Sequence, residues 1–110
     1  MKDMQRMMKE AQKMAAEVQK AQAEIAEKEV EGSAGGGAVK VVATGDQQIV
    51  SVTIDASFFE GEPDADDIEM LGDTVTAAVN DALGKARDLQ EQTLGPIAGG
   101  MGGLGLPGMG

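Results

Sequence analysis

The N-terminal part of the sequence carries an apolar repeat that predicts one long helix. The repeated apolar residues are Met4, Met7, Ala11, Met14, Val18, Ala21 and Ile25. Their alternating steps of three and four give a 3.5-residue period, typical of a helix that packs along a seam. With Gly32 placed to end it, a helix from about Lys2 to Glu31 would be roughly 45 Å long at 1.5 Å per residue. A compact chain of this size has a radius of gyration of only about 13 Å, so part of the helix should project.

The apolar seam is consistent with core packing inside the chain and equally with packing against a second molecule. The composition favours a shared core, because the sequence holds only two Phe and neither Trp nor Tyr. A chain of 110 residues with small core side chains buries a modest apolar area. We therefore expect an oligomer.

The middle of the chain predicts a small antiparallel sheet. Ala38–Ala43 and Gln48–Ile54 are rich in Val and Ile, and residues 44–47 supply a turn between them. Two strands alone are marginal, so a further strand at Glu29–Ser33 is an alternative that competes with the end of the long helix. The predicted fold class is α/β, of the α+β type, with two or three strands.

A second helix is predicted after the sheet. Asp66 and Glu69 have the spacing of a capping box, apolar residues follow at helical spacing, and Gly95-Pro96 should stop the run. Residues 1–94 then form a single domain, and residues 95–110 a flexible tail rich in Gly, Met and Pro.

The residue inventory argues against an enzyme. The sequence has no Cys and no His, which removes the usual zinc ligands and the commonest general base. We expect no catalytic residues, no metal, no cofactor and no small-molecule substrate. An acid-rich helix start explains Asp64, Asp66, Asp67 and Glu69 better than a calcium loop does. With no apolar signal segment, we also expect no membrane association.

The net charge of −10 is unevenly distributed along the chain. Residues 46–94 hold two bases and twelve acids, whereas residues 2–20 hold five bases and three acids. Lys2, Arg6, Lys9 and Lys13, near the start of the helix, lie on the side away from the seam. Taken alone, these residues favour a solvated face laced with Glu–Lys pairs over a binding site.

The order of the segments resembles the YbaB/EbfC family of small bacterial nucleoid-associated proteins. The matching segments are residues 4–12, Val30-Glu31-Gly32, residues 37–41, residues 52–55, residues 77–82 and the Gly/Pro/Met-rich end. The resemblance implies a tweezer-like homodimer with projecting helices that binds duplex DNA in the cytoplasm or nucleoid, with possible effects on gene expression. It also makes Lys2, Arg6, Lys9 and Lys13 the candidate DNA-binding residues.

The alternative hypothesis is an acidic protein–protein interaction module with little or no direct DNA binding. It is motivated by the net charge of −10. If DNA is bound, the near absence of aromatic residues argues against stacking on bases and favours contacts to the phosphate backbone, with little sequence specificity.

Overall fold

The predicted order of helix, antiparallel sheet and helix is confirmed. A computed structural model describes the backbone of residues 2–105 and the side chains of residues 2–96. The elements are α1 (Lys2–Glu27), β1 (Glu29–Ala34), β2 (Val39–Thr44), β3 (Ile49–Ile54), a short 3-10 turn (Ala56–Phe58) and α2 (Ala65–Gly105). The fold is α+β.

The three strands pair antiparallel in the order β1-β2-β3. In β2, Val39, Val41 and Ala43 are buried, whereas Lys40 between them is exposed, as the alternating pattern predicts. The buried face packs against Ala78 and Ala82 of α2. One side of the sheet therefore carries the core, and the other side faces solvent.

The predicted end of the first helix is wrong. We expected the helix to reach Glu31 with Gly32 as its cap, but α1 ends at Glu27 and the alternative third strand forms as β1. In β1, Gly32 pairs with Val41 and lies against α2. The third strand converts a marginally stable two-stranded hairpin into a three-stranded sheet. The stabilisation that it adds outweighs that of extending α1 by four residues.

The predicted start of the second helix is displaced by two residues. The backbone N–H of Asp67 donates to the Asp64 carboxylate (2.8 Å), and the backbone N–H of Asp64 donates to the Asp67 carboxylate (3.0 Å). This reciprocal pair is a capping box, so Asp64, and not Asp66, is the N-cap of α2.

The predicted stop at Gly95-Pro96 is also wrong. The α2 helix continues through Pro96 to Gly105. Proline removes one backbone donor from a helix but does not end α2 here. Leu94 lines a cleft with Gln22, Ile25 and Ala26 of α1, so α2 remains beside α1 as far as Leu94. Residues 106–110 of the expected flexible tail lie outside the described residues, and the boundary at residue 94 stays a prediction.

Candidate nucleic-acid interface

The first twelve described residues of α1 form an exposed arm. Every residue from Lys2 to Lys13 is exposed, and the first buried residue of the helix is Ala21. At 1.5 Å per residue this arm is about 18 Å long. The chain measures 75 × 29 × 18 Å, so it is elongated, as the length of the predicted helix indicated.

The apolar seam of α1 divides into a covered half and an uncovered half. Ala21 and Ile25 are buried near the base, whereas Met4 and Met7 are each 68% exposed at the tip. The base of the seam therefore packs in the core of the chain, as one of the two interpretations predicts. The tip is uncovered in the single chain, and its packing against a second molecule stays a prediction.

The four candidate DNA-binding residues lie together on the arm. By heptad position, Lys2, Arg6, Lys9 and Lys13 occupy the side of the helix opposite Met4 and Met7. The predicted ladder of Glu–Lys pairs is not formed, since the ion pair observed among the described side chains is Lys85–Asp81. The basic groups of the arm are therefore not held by neighbouring carboxylates.

Known proteins similar to this chain identify its family. The profile of the YbaB/EbfC DNA-binding family matches residues 1–101. The chain belongs to this family. A nucleoid-associated protein of Staphylococcus carnosus is 56% identical over 107 residues, which cover 97% of this chain and 95% of that protein. Another, of Saccharopolyspora erythraea, is 46% identical over 113 residues, covering 97% and 94%.

A solved structure shares the fold of this family member. The crystal structure of an uncharacterized protein from Helicobacter pylori superimposes with a TM-score of 0.59 at 21% identity, covering 74% of this chain and 90% of that one. The family description names DNA binding and no chemical reaction. Among the described residues, no group of His, Cys, Asp or Glu is placed to hold a metal ion, and no described helix is long and apolar enough to cross a bilayer.

In this YbaB/EbfC family member, a polar clamp formed by Asp81 and Lys85 joins β1 to α2. The Asp81 carboxylate accepts a hydrogen bond from the backbone N–H of Ser33 (3.0 Å), and Lys85 Nζ lies 3.3 Å from it. Lys85 Nζ also donates to the carbonyl oxygen of Glu31 (2.9 Å). The amino group of Lys85 therefore makes its contacts within the fold. The sequence shows the four-residue spacing of Asp81 and Lys85, but nothing in it links them to β1.

The clamp predicts a pH dependence of stability. The hydrogen bond from Ser33, and then Lys85, lower the pKa of Asp81 below its ordinary value of 3.8. A lowered carboxyl pKa stabilises the fold above the unfolded-state value, and this stabilisation is lost as the pH falls through the folded-state value. In Asp81→Asn, we expect the free energy of unfolding to fall at pH 7, and we expect this deficit to be smaller at about pH 3, where part of the stabilisation by the ionised carboxylate is lost.

Urea titrations followed by circular dichroism measure this pH difference. Asp88→Asn, on an exposed turn of the same helix, is the control for a lost charge and should change the free energy of unfolding little at either pH. Residual acid sensitivity is expected in Asp81→Asn because hydrogen bonds from Ser57 also lower the pKa of Asp55. An equal deficit at both pH values would contradict the assignment.

Proposed function

We propose that this chain is a nucleoid-associated protein that binds duplex DNA as a homodimer, with little sequence specificity, and alters the conformation of the DNA. Such binding would act in the cytoplasm, at the nucleoid, and would affect gene expression through access to DNA. The observation that carries the proposal is the exposed basic arm of α1 in a member of a DNA-binding family.

The length of the arm reconciles DNA contact with the acidic body. The net charge of residues 46–94 is −10, equal to that of the whole chain, and these residues form β3 and much of α2. Charges in water are screened over about 8 Å at physiological ionic strength, and the arm extends about 18 Å. Its distal bases therefore meet phosphates while the carboxylates of the body stay largely screened from the duplex.

The side chains of the arm favour contacts to the phosphate backbone. Lys and Arg neutralise phosphates and release counterions, which supplies most of the affinity in non-specific binding. The two aromatic residues, Phe58 and Phe59, are half-buried in the body and pack edge to face with ring centroids 5.0 Å apart. Stacking on bases is therefore not available to the arm, which supports low sequence specificity.

The uncovered face of β3 supports a homodimer. The α2 helix packs on β1 and β2, while β3 forms an edge of the sheet. Val52 and Ile54 pair with the buried residues Val41 and Val39, so they lie on the core side of the sheet, yet they remain 44% and 43% exposed. An exposed apolar edge strand is a template for pairing with another strand.

A second copy of the chain is the partner that fits this edge. The β3 segment reads Ile-Val-Ser-Val-Thr-Ile, so its apolar and polar residues fall in nearly the same order from either end. Two antiparallel β3 strands about a twofold axis would match apolar against apolar residues and continue the sheet to six strands. Such a dimer presents two arms, which doubles the basic surface available to the phosphates.

Salt-dependent DNA binding tests the proposed function. We expect wild-type protein to bind duplex DNA at low salt, and the variant with Arg6, Lys9 and Lys13 changed to Gln to bind more weakly. The slope of log K against log salt should become shallower by about 0.9 for each phosphate that the variant no longer neutralises. Fluorescence anisotropy over a range of salt concentrations gives both quantities.

A charge-matched variant separates the arm from the overall charge. Changing Lys20, Lys28 and Lys40 to Gln removes three charges outside the arm and should leave the slope close to that of the wild type. Equal losses in both triple variants would contradict the assignment to the arm. If wild-type protein fails to bind DNA at micromolar concentration and low salt, the DNA-binding proposal is wrong and the acidic interaction module is favoured.

A further inference from the structure

The base of α1 is fastened to the body by directional hydrogen bonds. The helix ends at Glu27, and only Lys28 separates it from β1. In the turn between β2 and β3, the backbone N–H of Gly45 donates to the carbonyl oxygens of Ile25 (3.1 Å) and Lys28 (2.9 Å). The last carbonyl groups of a helix have no partner within the helix, so the turn caps α1.

Gln90 of α2 completes this junction from the other side. Its side-chain Nε2 donates to the carbonyl oxygen of Gly45 over 2.6 Å in a half-buried setting. Gly45 is buried, and a Cβ atom there would overlap the carbonyl oxygen of Ile25 and lie 3.0 Å from Leu89 Cδ2. The end of α1, the turn and α2 therefore meet at one tightly packed point.

Apolar packing alone does not fix the direction of α1. The buried side chains at its base are Ala21 and Ile25, and hydrophobic contact is not directional. A cleft of about 350 Å³ also lies beside the junction, lined by Gln22, Ala26 and Leu94 among others. Apolar contacts of this kind restrain the distance between the helix and the body more than the angle, whereas a hydrogen bond restricts both.

The length of α1 magnifies any change at its base. With 26 residues, the helix is about 39 Å long at 1.5 Å per residue. A rotation of about 10° at the base therefore moves the tip by about 7 Å, roughly two phosphate steps along one DNA strand at 3.4 Å each. The placement of the basic arm on a duplex depends strongly on this junction.

We infer that Gln90 is a positioning residue whose hydrogen bond to Gly45 sets the direction in which α1 leaves the body. Through this bond, Gln90 controls where the basic arm meets the phosphates of DNA. The effect of Gln90 on the direction of α1 is inferred from the geometry of the junction alone, whereas its effect on DNA contact rests on the proposed function.

Distances between spin labels test the control of direction. The sequence has no Cys, so Gln5→Cys on the arm and Asn80→Cys on the exposed side of α2 give two unique labelling sites. Dilution with unlabelled protein isolates the distance within one chain. We expect Gln90→Met, which keeps the length of the side chain but removes the donor, to shift or broaden the distance distribution by several ångströms.

Two further variants make this result specific. Gln92→Met makes the same chemical change at an exposed position of α2 and should leave the distribution unchanged. Gln90→Lys keeps a donor and should restore a narrow distribution. A wild-type distribution in Gln90→Met, or equal broadening in Gln92→Met, would overturn the inference.

DNA binding by the unlabelled variants tests the consequence. We expect Gln90→Met to bind DNA roughly fivefold more weakly than wild type, because a wider spread of arm directions would leave only about one molecule in five placed to bind. Gln92→Met should bind normally. A broadened distance distribution with wild-type affinity would overturn the role of Gln90 in DNA contact. If the wild type itself binds no DNA, the proposed function fails, while the distances still decide whether Gln90 sets the direction of α1.

Discussion

Gly32→Ala is expected to lower the free energy of unfolding by roughly 3 kcal/mol or more, a large part of the 5–15 kcal/mol typical of a domain. A Cβ atom at Gly32 would overlap the backbone nitrogen of Ala82 and lie 2.7 Å from the carbonyl oxygen of Ala78. These are backbone atoms of a helix and cannot rotate away, so α2 has to move off the sheet. The measurement is urea unfolding followed by circular dichroism.

The core makes the chain sensitive to this displacement. Its buried side chains are small, the largest fully buried ones being Val39 and Val41. The contact between sheet and helix therefore depends on close approach, with Gly32 facing Ala78 and Ala82. Separating the two layers by even a methyl group forfeits much of the dispersion energy at this contact.

Gly72→Ala is the matched control for Gly32→Ala. Gly72 lies on an exposed turn of α2, and nothing approaches the position of its Cβ within 4 Å. Alanine should stabilise the helix there by about 0.5–1 kcal/mol. The same substitution should therefore lower the free energy of unfolding at Gly32 and raise it at Gly72. A decrease of similar size at both sites would contradict the packing argument.

Gly32 also shows where local sequence patterns stop being informative. After a long helical repeat, a glycine is typical of a helix C-terminus, and this local pattern led to the wrong boundary. The preference that prevails is tertiary: β1 needs a residue without a side chain where it crosses α2. The alternation in β2 was readable because it depends only on neighbouring residues and on one buried face.

Local patterns also predict some features of the candidate site but not the contacts between residues far apart in the sequence. The placement of Lys2, Arg6, Lys9 and Lys13 on the side of α1 opposite Met4 and Met7 follows from the heptad pattern, which is local. By contrast, the hydrogen bond from Gln90 joins residues 45 positions apart, and the bond between Ser33 and Asp81 spans 48 positions. No local sequence pattern indicates which group a half-buried glutamine of a helix will bind. The junction at the base of the arm could therefore be recognised only in the three-dimensional structure.

The variant Val52→Asp/Ile54→Asp is expected to convert a dimer into the 11.3 kDa monomer while leaving the fold of each chain intact. Both residues lie on the uncovered face of β3, and the buried core lies between β2, β1 and α2. Burying even one unpaired carboxylate costs several kcal/mol, so the dimer should weaken by at least about a hundredfold. Sedimentation equilibrium measures the mass, and circular dichroism checks the helix content.

Ser51→Asp/Thr53→Asp is the matched control on the other face of the same strand. These residues pair with Val42 and Lys40 on the side of the sheet that faces solvent, so the control adds the same charge without introducing it into the apolar contact. It should remain dimeric. A monomeric wild type, or dissociation of both variants alike, would contradict pairing through the apolar face.

Dissociation should also reduce the affinity for DNA, although the variant keeps every basic residue of the arm. A dimer engages a duplex with two arms, and the second contact forms at the high effective concentration set by the first. A monomer has one arm, so the slope of log K against log salt should fall to about half of its dimeric value. A shallower slope in a variant that retains every base would show that DNA contact by the two arms depends on dimerisation through β3.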